Sequence, residues 1–317
     1  MKHRVLIIGL GKIALGFDLG NNENETFSHT KAFMKHPAFE LLGGVDQSEE
    51  RRKEFTDYSQ ANAFSTIDEA YEAYPSADVI SICTPTQLRL SIFLDVLKFN
   101  PKLVIIEKPL ASSATEAKEI LAVAEKHGIK LYVNYMRRVE PCFTEIRTRL
   151  THEKISKIIV HYTNGLFTNA SHFINLMLFY FGRPDSISVI SREKTENDYA
   201  ADFVLKYKHF NVFFIAHHKI GHSLGELDII CDDERYDIYD WGFQAKFFKA
   251  TEDPLFPDLK TLTESDEIKT PRMDIYMEHV TDHIEKMLTL NYTFDDVNDA
   301  IATTEICEYV KNAALSV

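Results

Sequence analysis

RVLIIGLGKIALG, residues 4–16, runs four unbroken apolar residues, Val5 to Ile8, into a glycine turn. An uninterrupted apolar run, rather than an alternating one, is the pattern of a parallel strand covered on both faces. At its end stands Gly9-x-Gly11-x-x-Ala14. Gly9 permits the tight turn, Gly11 lets backbone approach a pyrophosphate, and Ala14 is small enough for close helix–strand packing. A helix starting there offers free N–H groups and a partial positive charge to phosphates. The pattern alone is weak, and a tight turn with incidental glycines is the competing reading. A strand before it, a helix after it and its early position favour a dinucleotide site. Gly9, Gly11, Lys12 and Ile13 are therefore cofactor-binding candidates.

Working outward, FELLGGVD, ADVISICTP and KLVIIEKP repeat the apolar-run signature. Helical stretches separate them: SEERRKEFTDYS, TIDEAYEAY, TQLRLSIFLDVLKF and SSATEAKEILAVAEKHG. Repeated strand–helix units imply a doubly wound parallel sheet. After about residue 135 the texture changes. SKIIVHYTNG, SISVISRE, DYAADFVLKY, FNVFFIAHHK, GELDIICDD and RYDIYDWG are strand-like segments joined by short turns, which suits an antiparallel sheet. The helical segment NASHFINLMLFYFG interrupts them, and DDVNDAIATTEICEYVKNAAL lies near the end. The expectation is an α/β chain with a Rossmann-type domain over 1–133 and an α+β domain over 134–317, the latter built on an open, mainly antiparallel sheet.

Asp46 ends the second apolar run. An acid there accepts hydrogen bonds from the adenosine ribose and repels a 2′-phosphate, which favours NAD over NADP. Its distance from the glycine turn exceeds the usual ~20 residues, and the polar stretch LGNNENETFSH at 19–29 accounts for the excess. Arg51 and Arg52 can meet a 2′-phosphate or lie on a solvated helix face.

The 317 residues carry 35 Lys and Arg against 48 Asp and Glu, a net charge of -13. That balance disfavours nucleic-acid backbones and anionic membranes as partners. Four scattered cysteines, Cys83, Cys142, Cys231 and Cys307, show no C-x-x-C pair, which suits a reducing compartment and no zinc site. The apolar run near the start is too short for an export leader. A cytoplasmic protein is expected, and no metal site. His217, His218 and His222 cluster without an acidic partner at ligand spacing, so surface or interface roles are expected for them.

LVIIEKPLA at 103–111 places Glu107, Lys108 and Pro109 at the end of a buried strand. An open α/β sheet gathers ligands at its carboxyl ends. With GLGKIA, GVD, SICTP, EKPLA, VNYMRR, NASHFIN and DDVNDAIATTEI in this order, the chain resembles the glucose–fructose oxidoreductase and inositol dehydrogenase family (Gfo/Idh/MocA). The resemblance implies a catalytic lysine at Lys108, near nicotinamide and the reacting carbon, with Glu107 orienting it or meeting cofactor. It implies Thr84 and Pro85 beside the dinucleotide and a catalytic histidine at His172. Asn169, Tyr135 and Arg137 are the substrate-binding candidates, and Arg138 a candidate for an interdomain ion pair. It also implies association as a homodimer or homotetramer through the C-terminal sheet.

Two departures stand out. Relatives often carry D-x-x-x-H-x-x-D where this chain reads Thr168-x-x-x-His172-x-x-Asn175, and His where this chain has Arg89. The function expected is NAD(P)-dependent hydride transfer between nicotinamide and a carbinol or carbonyl carbon of a sugar, cyclitol or nucleotide-linked sugar. A dinucleotide-binding sensor without efficient turnover, and an NAD-recycling lyase or glycosidase, are the alternatives.

Overall fold

The computed structural model describes residues 2–20, 22–290 and 296–314. Contacts divide the chain into two compact units: residues up to Val139 with Asp274–Ile301, and Glu140–Met273 with the residues from Ala302 onward. This differs from a single cut near residue 133, because the chain returns to the first unit after leaving it.

The first unit holds β1 (His3–Ile8), β2 (Phe39–Val45), β3 (Asn62–Phe64), β4 (Val79–Ile82), β5 (Leu103–Ile106) and β6 (Lys130–Val133). They form one parallel sheet in the order β3-β2-β1-β4-β5-β6. The order reverses between β1 and β4, which leaves a crevice at their carboxyl ends. Val5 to Ile7 and Leu103 to Ile106 are fully buried, as unbroken apolar runs require. The helices are α1 (His29–Lys35), α2 (Glu49–Ser59), α3 (Ile67–Ala73), α4 (Arg89–Val96) and α5 (Ala114–His127). Ser28, Ser48, Thr66 and Ser113 cap α1, α2, α3 and α5, each side-chain oxygen accepting an otherwise unmet N–H of the first turn.

The second unit opens with α6 (Pro141–Leu150), started by a Glu140 cap with proline next to it. Its sheet contains β7 (Ile155–Tyr162), β8 (Ser186–Lys194), β9 (Tyr199–Lys206), β10 (Asn211–Ala216), β11 (Gly225–Cys231), β12 (Glu234–Tyr239), β13 (Gln244–Glu252) and β14 (Lys260–Glu264). Their order is β14-β13-β12-β11-β7-β10-β9-β8. Among the described residues only the β7–β10 pair is parallel. The first six were legible as strands. β13 and β14 were not, since most of their side chains are exposed and show no period-two apolar alternation. Phe203 and Phe214 stack at 4.4 Å in the buried layer. Helix α7 (Ser171–Phe181) buries nearly all of its residues.

Two further helices follow, α8 (Tyr276–Thr289) and α9 (Val297–Asn312). α8 accounts for the return to the first unit. Met277, Val280, Ile284 and Met287 form a buried stripe at spacings of three and four, and Met277 Sδ accepts from Asn134 Nδ2 at 3.5 Å.

Tyr162 ties the second sheet together at the end of β7. Its hydroxyl donates to Ala201 O at 2.7 Å and accepts from Ala201 N at 3.2 Å, fully buried. Tyr162→Phe strands both backbone groups away from water and is expected to cost about 1–3 kcal/mol, read as a lower denaturation midpoint with an unchanged slope.

Candidate active site

The glycine turn leads into a helix in two pieces. Leu15 N donates to Gly11 O at 3.0 Å, as in a first helical turn, but the chain then leaves on an excursion. It closes when Asp18 accepts from Phe27 N and Ser28 N, the latter at 2.7 Å. His29 N and Thr30 N then donate to Ile13 O and Ala14 O at 3.2 and 2.9 Å, resuming the helix as α1. The sequence expectation was a helix start after the turn and a polar stretch at 19–29. The inserted polar segment interrupts the helix and explains the long gap to Asp46. Lys12 is exposed and Ile13 half-buried.

Beside the turn lies a cavity of about 800 Å³, lined by Gly9, Gly11, Asp46, Arg51, Thr84 and Pro85 among others. Gly9 has φ +90°, and a Cβ there would lie 2.8 Å from Thr84 Cγ2. At Gly11 the nearest atom to such a Cβ is Arg51 Nη1 at 4.0 Å, which leaves open backbone on the cavity side. Thr84 Oγ1 is buried and has no hydrogen-bond partner among the described residues. Asp46 Oδ2 accepts from Leu10 N at 2.8 Å and Oδ1 from Ser48 N at 2.9 Å, so the carboxylate is held at the end of β2. Arg51 reaches it at 3.5 Å, while Arg52 is spent on Asp46 O and Gln47 O. An open glycine cradle, a buried hydroxyl in want of a partner and a fixed acid fit a dinucleotide.

At the end of β5, Glu107 is turned inward. Its Oε1 accepts from His29 Nε2 at 2.9 Å and from Asn134 Nδ2 at 2.6 Å, and Oε2 accepts from Lys108 N at 3.2 Å. His29 Nδ1 meets Ser81 Oγ at 2.9 Å. Burial alone would push the His29 imidazole down, but the Cys83 sulfur and the Glu107 carboxylate outweigh it and hold it up at about 10. Burial would raise Glu107, yet hydrogen bonds and charge from His29, then Asn134 and Arg89, hold it below the usual carboxylate range. The Lys108–Pro109 bond is cis, and Lys108 is half-buried.

Arg89 does not lie on the helix surface. It is buried, with Nε donating to Thr84 O at 3.1 Å and Nη1 bonded to the carbonyls of Glu107 and Pro109. Tyr135 and Arg137 are buried. Arg138 pairs with Asp299 at 2.7 Å, an ion pair inside the first unit.

In the second unit, Leu166–Ala170 form a π-helical turn before α7. That turn departs from α-helical spacing. Asp198 holds the turn: Oδ2 accepts from Thr168 N and Oγ1, both at 2.9 Å, and Oδ1 from Phe167 N at 3.1 Å. Gly165, φ +101°, must be glycine, for a Cβ would lie 2.3 Å from Asp198 Oδ2. Asn169 Nδ2 donates to Thr163 O at 2.9 Å, a backbone-fastening role. Asn175 is fully buried and bonds Thr303 Oγ1 at 3.1 Å, whereas His172 is half-buried.

A cavity of about 560 Å³ adjoins this turn, lined by Thr163, Asn164, Thr168, Asp198, His217 and His218 among others. His217 Nε2 meets His161 Nδ1 at 3.0 Å, and Glu193 takes His218 at 2.6 Å and Lys219 at 2.9 Å. No group of three or more His, Cys, Asp or Glu among the described residues is placed to hold a metal ion. No helix among them is long and apolar enough to cross a membrane.

Of the sequence candidates, Gly9, Gly11, Asp46, Thr84 and Pro85 share the first cavity. Glu107 and Lys108 share the loop after β5, and Asn169 and His172 belong to the second unit. The sequence reading missed His29 and Asp198. A histidine that follows a polar loop and an aspartate in a turn carry no local signal of their partners.

Residues 3–135 match the family model described as an oxidoreductase family with NAD-binding Rossmann fold, GFO_IDH_MocA. The uncharacterised oxidoreductase YrbE of Bacillus subtilis is 28% identical over 120 residues, 38% of this chain and 35% of its own. The NAD(+)-dependent scyllo-inositol 2-dehydrogenase of the same organism is 29% identical over 87 residues, 27% of this chain and 25% of its own. The match thus spans about a third or less of these relatives. Among solved structures, the dehydrogenase MviM from Clostridium difficile superposes with TM-score 0.78 and 18% identity over 99% of this chain and 100% of that one, a likeness of fold.

Proposed function

We propose, from the premise that residues 3–135 form a domain of the Gfo/Idh/MocA oxidoreductase family, that the protein transfers hydride between NAD and a carbinol or carbonyl carbon of a sugar, cyclitol or nucleotide-linked sugar. The observation that carries this reading is the Glu107-Lys108-Pro109 loop, pinned at the carboxyl end of β5 in the sheet whose crevice holds the glycine turn, Asp46 and Thr84. Bound nicotinamide supplies the hydride acceptor or donor. Gly9, Gly11, Asp46, Thr84 and Pro85 hold the dinucleotide. The Lys108 ammonium donates to the substrate oxygen and stabilises alkoxide character at that atom. His172 takes or returns the proton, since imidazole titrates near working pH. Asn169, Tyr135 and Arg137 orient the substrate.

Association through the second-unit sheet belongs to the same reading. A dinucleotide-responsive sensor is the second reading, favoured because Thr168 and Asn175 are both engaged within the second unit.

The fixed carboxylate of Asp46 favours NAD. Asp46→Asn keeps an oxygen for Leu10 N–H but removes the charge that repels a 2′-phosphate. It is expected to shift the NADP-to-NAD ratio of kcat/KM upward by about tenfold, the equivalent of 1.4 kcal/mol. The function itself is tested by steady-state assays of reduced nicotinamide over inositols, aldoses and nucleotide-linked sugars. Turnover of a polyol supports it. Tight NAD binding with no turnover of any of them replaces it with the sensor.

A further inference from the structure

We propose that His29, Glu107 and Arg89 form a buried charged clamp that positions Lys108, so that His29 and Arg89 serve hydride transfer without touching substrate. The proposal rests on the reading of Lys108 as the group that meets the substrate oxygen.

Three backbone groups surround the Lys108 Cα: its own N–H and the carbonyls of residues 107 and 109. The Glu107 carboxylate holds the first at 3.2 Å, and the Arg89 guanidinium holds the other two. Neither holder is itself loose. Glu107 Oε1 is fixed by His29 Nε2 at 2.9 Å and Asn134 Nδ2 at 2.6 Å, and Arg89 Nε is fixed on Thr84 O at 3.1 Å. His29 is fully buried, and Arg89 and Glu107 are 5% and 7% exposed.

A guanidinium, an imidazole and a carboxylate in an interior are an expensive way to fill space, and well-packed apolar groups of the same volume are often at least as stable. What charged groups provide in a low-dielectric surround is a steep penalty for displacement, hence a fixed geometry. That property is of use for a side chain whose ammonium must meet a developing charge within a fraction of an ångström.

The clamp also gives the inserted segment a purpose. Asp18 closes the excursion on Phe27 N and Ser28 N immediately before His29, and the resumed helix delivers His29 to Ser81 and Glu107. The phosphate-binding turn and the lysine loop are thereby joined through one imidazole.

The test uses Glu107→Gln and Arg89→Lys in the full chain, with two readouts. The first is the rate at which an amine-directed acylating reagent labels Lys108 at fixed pH without NAD, mapped by mass spectrometry. It needs no turnover, so it judges the clamp even if the assigned reaction fails. The second is kcat against KM with NAD and the substrate found by the assay above. The expected result is a change of at least threefold in Lys108 labelling for each folded variant. With it, kcat falls about 10- to 100-fold while KM for NAD stays within about twofold. A role confined to core stability lowers the melting temperature and moves neither readout. Labelling within twofold of wild type in both folded variants overturns the proposal. Arg89→Lys keeps the buried charge balance, so it decides the matter if Glu107→Gln does not fold.

Discussion

Lys108→Ala is expected to lower kcat by about 10²- to 10³-fold, the usual loss when one preorganised donor to a developing oxyanion is removed. The reasoning is spatial. Lys108 follows a fully buried strand, and the backbone on both sides of it is held by charged side chains. Removing the side chain beyond Cβ leaves those three backbone bonds in place, so the loop keeps its course. NAD affinity and melting temperature should therefore stay close to wild type, while the oxygen of the substrate loses its cation. Equal falls in kcat and kcat/KM would mark an interaction made in the transition state rather than in binding. Stopped-flow and steady-state kinetics, with NAD titrations on the same preparations, separate the terms. Undiminished turnover in the alanine variant would remove Lys108 from the mechanism.

Gly9→Ala should act on fold and cofactor together. The residue sits at φ +90°, where an L side chain costs of order 1–3 kcal/mol. The added methyl also lies 2.8 Å from Thr84 Cγ2 and 3.1 Å from both Cys83 C and Thr84 N. Two of those three atoms are backbone, so no rotamer change relieves the contact. Overpacking of this kind adds about 1–3 kcal/mol. The strain falls between β1 and β4, at the crevice itself. The expectation is a thermal midpoint lower by several degrees and an NAD dissociation constant raised more than tenfold. An alanine variant with unchanged NAD affinity would mean that the dinucleotide does not use this turn.

Much of the first unit was legible because its signals are local. Val5 to Ile8 and Leu103 to Ile106 are apolar without interruption, and parallel strands buried on both faces demand that. Ser48, Thr66 and Ser113 stand where the caps of α2, α3 and α5 require oxygens. The strands of the second unit up to β12 were read in the same way. The last two strands, β13 and β14, escaped because exposure removes the alternation. The π-turn before α7 escaped as well, because Asp198, which holds it, lies thirty residues away.

The amino-acid order by itself determined the Rossmann-type sheet, the glycine turn, the position of Asp46 and the place of Lys108 at a strand's end. Each of these follows from residues within a few positions of one another. Tertiary structure alone decided that α8 returns to the first unit, that Arg89 turns inward to hold two carbonyls, and that His29 meets Glu107. The last two partners lie 78 positions apart. A buried polar side chain takes whichever partner the packed chain brings within hydrogen-bond reach, and side chains carry no mark of that choice until distant strands are laid side by side.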